Sequence, residues 1–345
     1  MNTTYALPNA RRQPVTFVSG EGCYLVDDVG KRYLDLVSGL GVNALGHNHP
    51  RVTRAIQEQA GRLLHTSALY GNEYQEALAS ELCRLSGTQR AVFVNSGTEA
   101  TEAALRMVRF YSPRTRVIEV THITNLTGQI MPVREIMRLA KPRGIEVFVD
   151  GAHAFGQWPM KRDEMEVDFY GTSLHKWLHA PIGAGFLYVR REKIPKLWPM
   201  MAAAESQTAD IRKYEEIGTH PQANFNAVSA ALAFSQGMGL DRKISRLRYL
   251  RDRWAKRLLA ESDRVRVLTP LGPDKSGAIC LFNVEGIDPV KLGGWLLDRH
   301  RIVNTPIVHP EFHGIRITPS VYTSVTEIDT FADAVLQAIK FGIAS

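Results

Sequence analysis

From residue 91 onward, apolar strand-like runs alternate with helical periods, and this alternation constrains the fold more than any other feature of the chain. AVFVN leads into a helix over residues 98–111, TRVIEV into one near residues 133–140, and IEVFVD is followed by strands near residues 167–170 and 185–189. A strand that feeds a helix and then a second strand brings the chain back to the same end of the sheet, so the strands run parallel with helices over both faces. The expectation is an α/β fold with a doubly wound, mainly parallel sheet. Ligands of such sheets lie beyond the carboxyl ends of the strands, so the loops leaving those ends are the place to look for chemistry.

The flanking segments extend this plan. Residues 22–36 alternate as two short strands about a turn at residues 27–31, and Pro50 stands at the first position of a helix marked by Val52, Ile56, Ala60 and Leu63. A second helix is expected over residues 72–85. The amphipathic stretch 242–261 leads into a smaller C-terminal α/β lobe with strands RVRVL and AICLFNV, a helix over residues 289–300, two more short strands and a final helix over residues 326–341. With 345 residues there is ample chain for one large domain and a satellite. The division expected is 1–45 with the hairpin as part of the small domain, 46–240 as the large domain, and 241–345 as the small C-terminal domain.

Charge and cysteine usage exclude several classes. The net charge of +7 is spread along the chain, and the densest run, residues 242–257, carries Leu247, Leu250 and Trp254 at helical spacing. It reads as a solvated helix face with a preference for anionic small molecules, not as a nucleic-acid groove. Cys23, Cys83 and Cys280 are far apart and form no disulfide framework, which suits a reducing cytoplasm. Residues 1–15 are polar and not a signal peptide, no apolar run is long enough to span a membrane, and no metal site is expected.

Three strand-end loops carry the candidate chemistry. Asn95-Ser96-Gly97-Thr98-Glu99 leaves one strand and opens a helix, where small residues and the helix dipole favour a phosphate; Ser96 and Glu99 also have the spacing of a plain capping box. Asp150 ends the strand of residues 145–149 and precedes Gly151, Ala152 and His153; alone it would pass for a turn residue or a helix cap. Lys176, beside His175 and shortly after Thr172 and Ser173, is a candidate for a desolvated, nucleophilic amine. Together they match one cofactor chemistry, which needs a lysine nucleophile, a carboxylate that keeps a pyridine nitrogen protonated, and a phosphate cradle.

On these residues the chain resembles the fold-type-I pyridoxal-phosphate enzymes, the aspartate-aminotransferase superfamily, in two dialects. Residues 22–111 resemble a class III aminotransferase of the acetylornithine type, through YLVDDVGKRYLDLVSGLGVNALGHNHP, LHTSALYGNEYQEALA and NSGTEATEAAL. Residues 114–341 resemble a class V enzyme of the isopenicillin N epimerase-like group, through HITNLTGQIMPVREI, VDGAHAFGQWP, YGTSLHKWLHAPIGAGFLYVR, EEIGTHP and IRITPSVYT. The resemblance assigns Lys176 to the Schiff base and Asp150 to the pyridinium nitrogen of pyridoxal 5'-phosphate. It puts Ser96, Gly97 and Thr98 on the phosphate with Ser173 and His175, and His153 and Asn125 near the ring hydroxyl and substrate. Thr219 would reach the phosphate of a neighbouring subunit, implying a homodimer with shared active sites. Arg316 matches the clamp for the substrate α-carboxylate; the alternative is an arginine paired with a nearby acid.

The departure from the family lies between Tyr111 and Thr115. There the superfamily has about two further strands and a helix, including the aromatic or histidine that stacks on the cofactor ring. Those strands lie together at one sheet edge, so their loss would leave a contiguous five-stranded core and an opened pocket wall. The expected function is pyridoxal-phosphate-dependent transamination between an amino acid and a 2-oxo acid. Class V epimerase or lyase chemistry and a non-catalytic cofactor-binding relative are the alternatives. Cysteine desulfuration needs a mobile nucleophilic cysteine, and Cys280 sits inside an apolar strand pattern.

Overall fold

The computed structural model describes residues 13–63, 73–86, 92–94, 117–199, 203–214, 222–272 and 274–343. Within them, β4 (Val92–Val94), β5 (Val117–Thr121), β6 (Glu146–Asp150), β7 (Phe169–Ser173) and β8 (Gly185–Val189) form a five-stranded sheet ordered β4-β8-β7-β6-β5. β5, β6 and β7 run parallel, with Val149 facing Tyr170 and Asp150 facing Gly171. β8 is antiparallel to both β7 and β4. The sequence pattern does not announce this reversal. Its cause is the connection 174–184, which contains no helix to carry the chain back across the sheet. Among the described residues β5 and β4 are the two edge strands of this sheet.

Alternation along the strands covers both faces. Val147, Val149, Tyr170, Phe186 and Tyr188 pack with Leu78 and Leu82 of α2 (Glu73–Ser86), Val133 and Met137 of α3 (Val133–Ala140), and Val228 and Leu232 of α4 (Gln222–Met238). Phe148, Phe169, Leu187 and Val189 face the other way, under Ile194, Leu197, Ile211 and Tyr214. α1 (Pro50–Ala60), with Pro50 in its first turn, lies against α4. The expected phosphate-loop residues Ser96, Gly97 and Thr98, together with Thr219 and the departure between Tyr111 and Thr115, lie outside the described residues.

The chain termini build the rest. α5 (Leu240–Glu261) leads to a sheet ordered β12-β13-β10-β9 from β9 (Val265–Val267), β10 (Cys280–Val284), β12 (Thr305–Val308) and β13 (His313–Ile317). It is covered by α6 (Pro289–His300) and α7 (Val325–Phe341). Trp254, Phe282 and Phe331 meet edge to face at its centre. α6 starts on Asp288, whose side chain accepts from Lys291 N, and α7 starts on a capping box of Ser324 and Glu327. The N-terminal strands β1 (Phe17–Glu21), β2 (Tyr24–Asp27) and β3 (Arg32–Asp35) form an antiparallel meander whose third strand pairs in parallel with β11 (Ile302–Val303). One expectation is corrected here. α5 is not a fully solvated basic face, because Lys243 is 1% and Arg251 0% exposed. Each has exchanged water for protein acceptors: Lys243 donates to Trp177 O, and Arg251 to Ser276 O, Gly277 O and Leu271 O as well as to the Asp252 carboxylate.

Candidate active site

β6 and β7 end side by side, and the loops that leave their carboxyl ends converge. Asp150, the last residue of β6, uses Oδ1 to cap the turn at Ala152 N (2.9 Å). That turn folds back through Ala154 N and Phe155 N, both donating to Gly151 O. Gly156 continues it at φ +75°, and a Cβ there would meet Leu178 N at 2.8 Å and Trp177 C at 2.9 Å. The turn is thereby seated directly on the backbone that carries Lys176. Gln157, fully buried, ties the same turn to the second lobe: its Nε2 donates to His153 O (2.6 Å) and its Oε1 accepts from Ala278 N (2.5 Å).

The Lys176 loop is closed by Leu174 N donating to Ala184 O and Ala180 N donating to Leu174 O. It includes His179 at φ +71°, an unusual conformation for a residue with a side chain. Lys176 Nζ lies 3.2 Å from His153 Nε2, and on the far side of that ring Trp177 Nε1 donates to His153 Nδ1 at 3.2 Å. Burial lowers the proton affinity of the Lys176 amine; Asp150 opposes this and Arg316 reinforces it. Burial, then the Lys176 and Arg316 charges, hold His153 well below the usual imidazole range. These mutual influences put Lys176, His153, Asp150 and Arg316 in one electrostatic neighbourhood.

Arg316, on β13, enters from the second lobe and is 5% exposed. Its Nη1 donates to Asn125 O at 2.7 Å, while Nε and Nη2 are buried without a partner and no carboxylate pairs with it among the described residues. The alternative of an arginine matched with a nearby acid finds no support in this arrangement. Asn125 itself is exposed and meets Arg316 through its main chain. Ser173 ends β7 and is buried, and buried His175 donates Nδ1–H to Ala184 O (3.3 Å). Cys280 is fully buried, and burial pushes its thiol up to about 12, which removes it as a nucleophile at neutral pH.

Sequence reasoning missed Trp177, Gln157 and Lys243. Trp177 adjoins Lys176, so its position was visible, but nothing local shows that its indole turns back to His153. Gln157 and Lys243 act across sequence separations of 121 and 66 residues, beyond any local pattern.

The architecture and the family matches together define a fold-type-I pyridoxal-phosphate protein. The profile of the family Aminotransferase class-V matches residues 77–305, more than half of the chain, and that of Aminotransferase class-III matches residues 5–129. The chain therefore belongs to the class-V aminotransferase family, with a class-III-like N-terminal portion. It is 52% identical over 109 residues to acetylornithine aminotransferase of Aquifex aeolicus (strain VF5), a match covering 31% of this chain and 29% of that protein. It is 32% identical over 254 residues to isopenicillin N epimerase of Streptomyces clavuligerus, covering 69% of this chain and 64% of that protein. The chain thus spans less than two thirds of either relative's length. A cysteine desulfurase structure from Thermococcus onnurineus NA1 superposes with a TM-score of 0.77 at 18% identity, covering 90% of this chain and 95% of that one, a likeness of fold.

Class III and class V aminotransferases depend on pyridoxal phosphate. The described residues fit that group by what they leave unspent. Lys176 offers an amine whose burial favours the neutral, nucleophilic form. Asp150 has Oδ2 free of hydrogen bonds among the described residues, ready for a protonated ring nitrogen. Arg316 offers buried donors at Nε and Nη2 that an anionic or strongly accepting ligand would satisfy.

Proposed function

We propose that the protein is a pyridoxal-phosphate-dependent aminotransferase that moves an amino group from an amino acid to a 2-oxo acid, with Lys176 as its nucleophile and proton carrier. The observation that carries this reading is the half-buried Lys176 amine, 3.2 Å from His153, in the same electrostatic field as Asp150 and the partly unspent Arg316. When bound, pyridoxal phosphate would supply an aldehyde that condenses with amines and a ring that withdraws electrons from the bond next to nitrogen. The chain supplies the remainder. Asp150 would hold the ring nitrogen as N–H, and Ser96, Gly97, Thr98, Ser173 and His175 would hold the phosphate. His153 and Asn125 would face the ring hydroxyl and substrate, and Arg316 would take the substrate carboxylate through Nε and Nη2. Lys176 Nζ, its proton affinity lowered by burial, would take the substrate α-proton and return it.

We further read residues 46–240 as the cofactor-binding domain and 1–45 with 241–345 as the smaller one, a division supported by the pairing of β3 with β11. A homodimer with Thr219 reaching the neighbouring site, and a cytoplasmic location suited to three free cysteines, belong to the same reading. The 254-residue likeness to an epimerase favours a second reading, inversion at the substrate α-carbon. Full-length protein mixed with pyridoxal phosphate is expected to develop the visible absorption of lysine-bound cofactor, and Lys176→Ala to lack it. Amino donors should then bleach that band and release a 2-oxo acid. A wild type that stays colourless overturns both readings; loss of optical activity of the donor without 2-oxo acid selects the epimerase.

A further inference from the structure

His153 stands between two nitrogen groups, and their chemistry fixes where its proton lies. An indole nitrogen only donates, so Nδ1, 3.2 Å from Trp177 Nε1, must present its lone pair. His153 is 5% exposed, and its burial disfavours the doubly protonated ring, so the single ring proton sits on Nε2. An Nε2–H aimed at Lys176 Nζ, 3.2 Å away, needs an acceptor there. A neutral amine has a lone pair; an ammonium has three donors and none.

We propose that Trp177 is a positioning residue for the nucleophilic amine: by occupying Nδ1 it holds His153 as the Nε2–H tautomer, which in turn holds Lys176 as the neutral amine. This rests on Lys176 being the cofactor nucleophile. The two rings are fixed from several sides. Trp177 is 1% exposed and packs with Leu247, Ala278 and Ile279. Its carbonyl accepts from Lys243 on α5, Gly156 lies against its peptide, and Gln157 holds the His153 carbonyl. The charged groups facing the pair are Asp150 from β6, which favours an ammonium at Lys176, and Arg316 from β13, which opposes it; His175 feels the Lys176 charge from the same loop. Asp150 alone would pull the amine towards its charged form. A histidine free to turn its Nε2 lone pair to Lys176 would help it do so, and Trp177 removes that option.

The test uses the full-length chain before any pyridoxal phosphate is added. Ring 15N shifts of histidine-labelled protein, assigned with His153→Asn, are expected to show His153 as Nε2–H. In Trp177→Phe the Nδ1–H form should appear, and the pH midpoint for acetylation of Lys176, read by peptide mass spectrometry, should rise by about one unit. A wild-type His153 in the Nδ1–H form overturns the proposal even if Trp177→Phe does not fold. So does a folded Trp177→Phe in which neither tautomer nor midpoint moves. A colourless wild type with Nε2–H at His153 would instead sink the cofactor reading and leave the tautomer assignment standing.

Discussion

Arg316 is a buried cation with part of its donor set unspent, a costly arrangement unless a ligand completes it. Its guanidinium presents donors in a rigid fork that matches a carboxylate, whereas a lysine would keep the charge and lose the fork. Arg316→Lys is therefore expected to raise KM for an α-amino acid about 10- to 100-fold, the equivalent of ~1.5–3 kcal/mol for hydrogen bonds to a charged group, with a much smaller change in cofactor absorption. Steady-state kinetics on the cofactor-loaded variant check this; an unchanged KM would remove Arg316 from substrate binding. At this scale the sequence was most readable where a reactive residue type stands at a strand end, as Lys176 and Asp150 do. It was least readable where a charged residue is buried by long-range contacts. Lys243 and Arg251 have the spacing of solvated residues, and the carbonyls of residues 177, 271, 276 and 277, brought near by tertiary folding, make their burial tolerable together with the Asp252 carboxylate beside Arg251.

The turn after β6 and the Lys176 loop are pressed together at Gly156, and this contact gives the two elements a common geometry. Gly156→Ala would combine a left-handed backbone, costing about 1–2 kcal/mol for a residue with a Cβ, with a clash against the Trp177–Leu178 peptide. Gly144 has a similar φ of +62° but open space where a Cβ would go, so Gly144→Ala isolates the backbone cost. Urea unfolding should show Gly156→Ala losing clearly more stability than Gly144→Ala, and pyridoxal phosphate should bind it more weakly. Equal losses would mean that the close approach matters little. Elements with strong local signals were readable to the residue: α3 from its helical period and α6 from Asp288 and Pro289 at its start. β1 was not anticipated, and its burial pattern, mostly exposed or half-buried, explains why no apolar alternation marked it. The orientation of β8 was also hidden, because a strand's sequence is the same in either direction of travel and only the helix-free connection before it decides.

For the molecule as a whole, the resemblance gave the architecture, but local pattern could not give the closures that join distant parts of the chain. Nothing in residues 32–35 indicates that β3 will pair with β11, or that Thr318 N will donate to Leu36 O beside it. The same folding buries four histidines among the described residues, and this makes stability depend on pH in a definite direction. His122, His153, His175 and His179 are 4%, 5%, 8% and 3% exposed, and burial lowers the proton affinity of each, with His122 brought down to about 4. In the unfolded chain a histidine titrates near its ordinary value of about 6.5, so below that pH the unfolded state binds more protons than the native one and stability falls. The contribution is intact above pH ~6.5 and is lost progressively as the pH falls towards 4; for His122 alone it amounts to about 3 kcal/mol, against a typical total of about 5–15 kcal/mol. Most of that window lies above the range in which ordinary carboxylates take up protons, so the histidine effect can be read separately. Urea titrations should show the unfolding midpoint dropping between pH 6.5 and 4.5, and His122→Gln should flatten part of that drop. A midpoint that stays constant across this interval would mean that these imidazoles reach water in the native state.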